Sequence, residues 1–189
     1  MSRSKLADTY LTGLTGIEIG GAAHNSFGLN TINADRFASG SPERAVYETE
    51  QMRLCGSVMP VDLVAPGDQL PLPDNAVDFV ISSHVIEHFY NPMAALKEWY
   101  RVASKYVFII CPHIDRTFDR GTPETTVTEC ISRQNEINSN YPDAHHTFWR
   151  LGNFLQLLEY LKYQVIATAD PDDKVGNGFA VLISKNQTL

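Results

Sequence analysis

Cysteine is scarce: Cys55, Cys111 and Cys130 are odd in number and have no C-x-x-C spacing. This excludes a disulfide frame and a zinc knuckle, so the thiols read as reduced core side chains. Long apolar runs are also missing. The longest, Tyr106 to Cys111, falls far short of the roughly 20 residues that span a bilayer, and Met1 to Tyr10 lacks the apolar core of a signal peptide. A cytoplasmic chain with no membrane partner is expected. Positive charge is in deficit, with Lys+Arg 15 against Asp+Glu 22 for a net charge of -7. A nucleic-acid backbone needs a basic stripe, so no nucleic-acid partner is expected; the pair Arg116 and Arg120 suits one small anionic group better. Repeats, low-complexity tracts and Gly/Ser linkers are absent too. With 189 residues and 43% hydrophobic content, one core can bury about 70% of the unfolded surface, which predicts a single domain over residues 1–189.

What the chain does have is a regular alternation of short apolar runs and helical segments. Thr15 to Ile19, stopped by Gly20 and Gly21, and Thr31 to Ala34, stopped by Asp35, read as strands. Ser41, Pro42 and Glu43 open a helix that Gly56 closes. Val58 to Ala65 and Val77 to Ser82 are the third and fourth strands, the latter apolar enough for burial on both faces. Asn91 and Pro92 start a helix whose Met93, Leu96, Tyr100 and Ala103 share one stripe. Tyr106 to Cys111 follows as the fifth strand. Thr125 to Asn138 has helical composition, and Leu151, Phe154, Leu155, Leu158 and Leu161 form an apolar helical face. Tyr163 to Ala169 and Phe179 to Ser184 close the chain as an antiparallel pair around a polar turn. The pattern predicts an α/β three-layer sandwich: a mostly parallel, Rossmann-like sheet with an antiparallel C-terminal strand. Ligands bind beyond the carboxyl ends of the strands in such folds.

The residues at those ends carry chemistry. Gly20 and Gly21 let backbone approach a ligand, and the Glu18 carboxylate can hold an ammonium group or a network of donors. Asp35, closing the second strand, can accept from both hydroxyls of a ribose.

The most specific stretch runs Asp68-Gln-Leu-Pro-Leu-Pro-Asp74-Asn-Ala-Val-Asp78-Phe-Val-Ile-Ser-Ser-His84-Val-Ile-Glu87-His88-Phe, followed by Asn91-Pro92. It resembles the class I S-adenosylmethionine-dependent methyltransferases, in particular the type 11 family, and the resemblance extends from about Thr15 to Lys185. It implies a seven-stranded sheet and S-adenosylmethionine as cofactor. It makes Glu18, Gly20 and Gly21 the first motif, around the methionine and ribose, and Asp35 the ribose acid. Gly67 and Asp68 stand in near the adenine, because the family's usual acid is replaced by Pro66; Ser83 and His84 face the methionine end. Two departures stand out. Gly21 is followed by Ala22, Ala23 and His24 rather than further glycines, and only Ala22 to Asn30 separates the first motif from the second strand, too little for a full crossover helix.

Methyl transfer from a sulfonium is an in-line displacement, and a hydroxyl acceptor needs a base, for which histidine is best matched. The loop from Cys111 to Arg120 offers His113, and the segment Asp143 to Arg150 offers His145 and His146, the three catalytic candidates. The resemblance places the acceptor pocket in these inserts, which assigns Arg116, Asp119 and Trp149 to the substrate. A small polar acceptor, O-methylated and sugar-like or otherwise hydroxylated, is expected. His88 reads as a capping or packing residue, His24 as solvated, and Tyr90, Trp99 and Tyr100 as core or helix-surface aromatics. No metal is assigned. Two alternatives remain: a methyltransferase-like binding module without activity, and a metal site built from His113, Asp115, Asp119, His145 and His146.

Overall fold

The computed structural model describes residues 3–185. Its seven-stranded sheet has the order β3-β2-β1-β4-β5-β7-β6, with β1 Thr15–Ile19, β2 Asn30–Asp35, β3 Leu63–Val64, β4 Val77–Ser83, β5 Ala103–Pro112, β6 Gln164–Ala169 and β7 Gly178–Ser184. The first five strands run parallel, and β7 pairs antiparallel with both β5 and β6. The strand order reverses between β1 and β4, which puts a crevice at their carboxyl ends. Among the described residues no helix is long and apolar enough to cross a membrane.

Alternate strand residues feed two cores, as the two-residue period of a strand requires. Ile17, Val80, Val107 and Val181 face the helices α3 Pro92–Val102 and α5 Leu151–Tyr160. Phe79, Ile81, Phe108 and Leu182 face α1 Lys5–Leu11 and Phe27. Helix α3 starts where the Asn91 side chain accepts from the Ala94 amide and Pro92, lacking an N–H, needs no acceptor. Its deepest side chain is Trp99 rather than Tyr100, which instead stacks on Tyr163 at 4.1 Å between ring centroids.

Several expected elements shrink. The third strand keeps only Leu63–Val64, because β3 is an edge strand paired to β2 alone. Before it, Asn33 is met by one backbone bond from the Asp62 amide, by the Asp62 carboxylate and by the Pro60 carbonyl, not by a continued ladder. Helix α2 spans Ala45–Cys55, starting after Arg44 instead of Ser41 and ending on left-handed Gly56. The helix expected from Thr125 to Asn138 reduces to α4 Val127–Ser132, held by a capping box between Thr126 and Glu129. As the short spacing implied, one 3-10 turn, Ala23–Asn25, replaces the first crossover helix. Gln51 of α2 fixes it, its side-chain oxygen accepting from the Ala23 amide at 2.8 Å and the Met59 amide at 2.9 Å.

Candidate active site

A cavity of about 350 Å³ lies where the strand order reverses. Its walls come from Ile19 to Ala22 after β1, Asp35 to Phe37 after β2, Ala65 to Asp68 after β3, and His84, Val85, His88 and Phe89 after β4. Gly20 turns the chain out of β1 at φ +66. Gly21 is required by its own neighbours, since a Cβ there would lie 2.7 Å from the Met59 sulfur and 2.8 Å from Asn33 Oδ1, which also accepts the Gly21 amide. The shelf at Gly67 is tied to the core by Trp99, whose Nε1 donates to the Gly67 carbonyl at 2.8 Å. Asp68 accepts from Asn138 Nδ2 at 2.8 Å.

Asp35 is already engaged within the protein. One oxygen accepts the Phe37 amide at 2.8 Å and the other accepts Arg44 Nη1, while the Arg44 side chain is only 2% exposed. Each oxygen retains accepting capacity, so the carboxylate can still meet a diol on the cavity side.

Glu18 and Ser83 belong to a second, more polar cavity shared with His24, Asn25, Lys174 and Asn177; Gly20, Ala22 and His84 line both. His84 stands at φ +56, its Nδ1 3.2 Å from Ser83 Oγ and its Nε2 2.9 Å from Asn177 Oδ1. Burial pushes the Glu18 carboxyl up to about 7, against the opposing pull of Lys174 and a hydrogen bond from Thr31. An unfolded Glu titrates near 4.3. The folded value is the higher, so this term's stability is fully present below about pH 4.3 and is lost as pH rises through about 7. Glu18→Gln should therefore flatten the decline, about 3 to 4 kcal/mol, between about pH 4 and 7 in urea unfolding. Parallel pH profiles for the two proteins would remove the assignment.

Beside the first cavity, which His88 and Asp143 line, stands a cluster of which only His145 and Asp119 were expected as site residues; these two and Glu87 line neither cavity. Glu87 sits on the 3-10 turn Ile86–His88, is 1% exposed, and has its Oε2 buried without a hydrogen-bond partner. Its Oε1 lies 3.8 Å from His88 Nε2 and 3.9 Å from His145 Nε2. His88 Nδ1 donates to Asp143 at 2.8 Å and His145 Nδ1 donates to Asp119 at 2.8 Å. Asp143 is further held by Tyr47 and by Arg36. Burial raises the Glu87 carboxyl to about 8, helped by Asp119 and opposed by a backbone hydrogen bond. Burial first, then the neighbouring His145 and Arg36, lower His88 to about 4. His88, read from sequence as a capping or packing residue, thus lines the cavity.

The remaining candidates are dispersed. His113 Nδ1 accepts from the Asp115 amide, and its ring stands edge-on to Phe179. His146 bonds the Pro142 carbonyl and stands edge-on to the stacked pair Tyr90 and Tyr141. Arg116 pairs with Asp170. Trp149 is buried in the main core, donating to Thr147 Oγ1. None of these four lines either cavity. The set His113, Asp115, Asp119, His145 and His146 is not brought together; among the described residues, the group with metal-ligand spacing is Glu87, His88 and His145.

The sheet order, with its crevice at the switch between β1 and β4 and an acid closing β2, defines the class I methyltransferase fold. Residues 40–111 match the family described as a methyltransferase domain. Solved structures agree on the fold. A SAM-dependent methyltransferase from Thermotoga maritima aligns with a TM-score of 0.58 at 18% identity, over 95% of this chain and 86% of that one. One from Aquifex aeolicus gives 0.55 at 21% identity, over 95% and 86%. Magnesium protoporphyrin IX methyltransferase from Synechocystis, solved with bound SAH, gives 0.52 at 12% identity, over 96% and 78%. Among curated proteins none matches.

Proposed function

We propose that this chain is an S-adenosylmethionine-dependent methyltransferase acting on a small polar acceptor, with the oxygen of a sugar-like or other hydroxylated metabolite as the methylated atom. The observation that carries the reading is Asp35 at the end of β2, on the wall of the cavity that the Gly20–Ala22 turn of the neighbouring strand also lines. The residues present fit the cofactor. Asp35 would take the ribose hydroxyls, Asp68 and the Gly67 backbone the adenine edge, and Glu18, Ser83 and His84 the amino-acid end, with the Lys174 cation nearby. When bound, the sulfonium supplies a methyl carbon open to in-line displacement. The chain's own part is to align the acceptor with that carbon and to exclude water. The acceptor side is the wall bearing His88 and Asp143, with His145 packed edge-on against His88; His113 and His146, which line neither cavity, stay outside the reaction.

Thermal unfolding with S-adenosylhomocysteine tests the cofactor half. At 100 times its dissociation constant a ligand stabilises by about 2.7 kcal/mol, roughly 5 to 10 °C for a chain of this size. No shift at millimolar ligand would sink the reading. A shift without methyl transfer to any hydroxylated acceptor would favour the silent binding module.

A further inference from the structure

We propose that Glu87, His88 and His145 bind a divalent first-row transition ion at the edge of the cofactor cavity. The three donor atoms, Glu87 Oε1, His88 Nε2 and His145 Nε2, all lie within 4.8 Å of one another. Bonds of about 2.0–2.2 Å hold such donors slightly closer together than this, so side-chain movements of about half an ångström close the set around an ion. Each imidazole has its other nitrogen committed: His88 Nδ1–H to Asp143 and His145 Nδ1–H to Asp119. That arrangement fixes the tautomer and turns both Nε2 lone pairs toward Glu87, as carboxylates behind metal-bound histidines do.

The independent observation is Glu87 itself. Its carboxyl is 1% exposed, and its Oε2 has no hydrogen-bond partner. A buried polar atom left unsatisfied costs about 1 to 3 kcal/mol, more if charged, and an ion chelated through both oxygens would remove that cost. No Arg or Lys is paired with Glu87 among the described residues; the groups facing its Oε1 are the His88 and His145 imidazoles. Two imidazoles with one carboxylate suit a transition ion better than the all-oxygen cages of calcium or magnesium.

Three protein donors leave coordination positions for water or an acceptor oxygen. His88 and its partner Asp143 both line the cofactor cavity. An acceptor hydroxyl bound to the ion would become more acidic and be oriented toward the methyl group, a consequence that rests on the methyltransferase reading. The ion site itself does not.

The test is a titration of tag-free, chelator-stripped protein with Co²⁺, followed by its visible absorption and by elemental analysis, with Zn²⁺ as competitor. One Co²⁺ per chain is expected, displaced by Zn²⁺. His88→Ala and His145→Ala should each weaken binding at least about 100-fold, and Asp119→Asn about tenfold through His145 alone. His146→Ala, one residue away, should bind as the parent does. Circular dichroism confirms that each variant is folded, and His88→Ala, at a half-buried position, carries the test if His145→Ala does not fold. No stoichiometric Co²⁺, or binding unchanged by His88→Ala and His145→Ala, overturns the proposal, as does loss confined to His146→Ala. S-adenosylhomocysteine binding, measured in parallel, keeps the two readings apart: an ion without cofactor binding refutes the methyltransferase reading only, and cofactor binding without an ion refutes this one only.

Discussion

Asp35→Ala is expected to lose both stability and cofactor affinity, and the stability loss should be the larger. The carboxylate is the nearer of two acids at Arg44, whose side chain is 2% exposed; the other, Glu48, stands with Oε1 3.5 Å from Arg44 Nε. Removing the nearer member of a buried pair leaves Arg44 only Glu48, so the loss is set at about 3 kcal/mol, the low end for a broken buried pair; at roughly 2 to 4 °C per kcal/mol this is a fall of about 6 to 12 °C in Tm. The Phe37 amide loses its acceptor as well. Affinity for S-adenosylhomocysteine should drop at least tenfold, since a hydrogen bond to a charged group contributes about 1.5 to 3 kcal/mol. Asp35→Asn separates the two effects: the amide oxygen can still accept from Phe37, while the charge facing Arg44 is gone. Calorimetric unfolding together with titration of ligand into both variants checks the assignment, and an Asp35→Ala protein as stable as the parent would show that Arg44 is not held by this pair.

Trp99→Ala should be at least as damaging. Trp99 is fully buried in the main core, packs edge-on to Phe89 at 6.0 Å, and donates to the Gly67 carbonyl. Truncating a buried tryptophan costs about 3 to 5 kcal/mol, from lost apolar burial and the cavity left behind. The functional consequence follows from where the hydrogen bond lands. Gly67 and Phe89 both line the cofactor cavity, so its adenine-side shelf is fixed by a core residue of α3. Trp99→Phe keeps most of the packing and removes only the N–H. It is expected to cost about 1 to 2 kcal/mol of stability, because the buried carbonyl loses its donor, and to weaken ligand binding several-fold. If Trp99→Phe binds S-adenosylhomocysteine as tightly as the parent, the shelf does not depend on this bond.

Much of the fold was legible in the chain because its signals are local. Glycines and an acid after apolar runs mark strand ends, Asn91-Pro92 starts α3, and Gly56 ends α2. Those features depend on backbone sterics and capping within a few residues, which a linear reading captures. Edge effects escaped it. Val58 to Ala65 reads as a strand, but only Leu63–Val64 has a neighbour to pair with.

The site divided along the same line. Gly20, Gly21, Asp35, Gly67 and Asp68 meet around one cavity because each follows a strand of one sheet, and topology brings strand ends together. The roles of Arg44, Gln51 and Glu87 were invisible in sequence. An arginine before a helix, a helical glutamine and a glutamate beside a histidine are ordinary until packing buries them and decides what they face.

By itself the sequence determined the alternation of elements, the strand-end residues and the methyltransferase resemblance. Only the tertiary structure decided that Asp35 is held by a buried arginine, that Glu18 looks into a different cavity from Asp35, and that His145 meets Glu87 and His88 across nearly sixty residues of chain. The physical reason is that charge, desolvation and ligand geometry act through space over a few ångströms. The sequence specifies neighbours along the chain, and only folding converts them into neighbours in space.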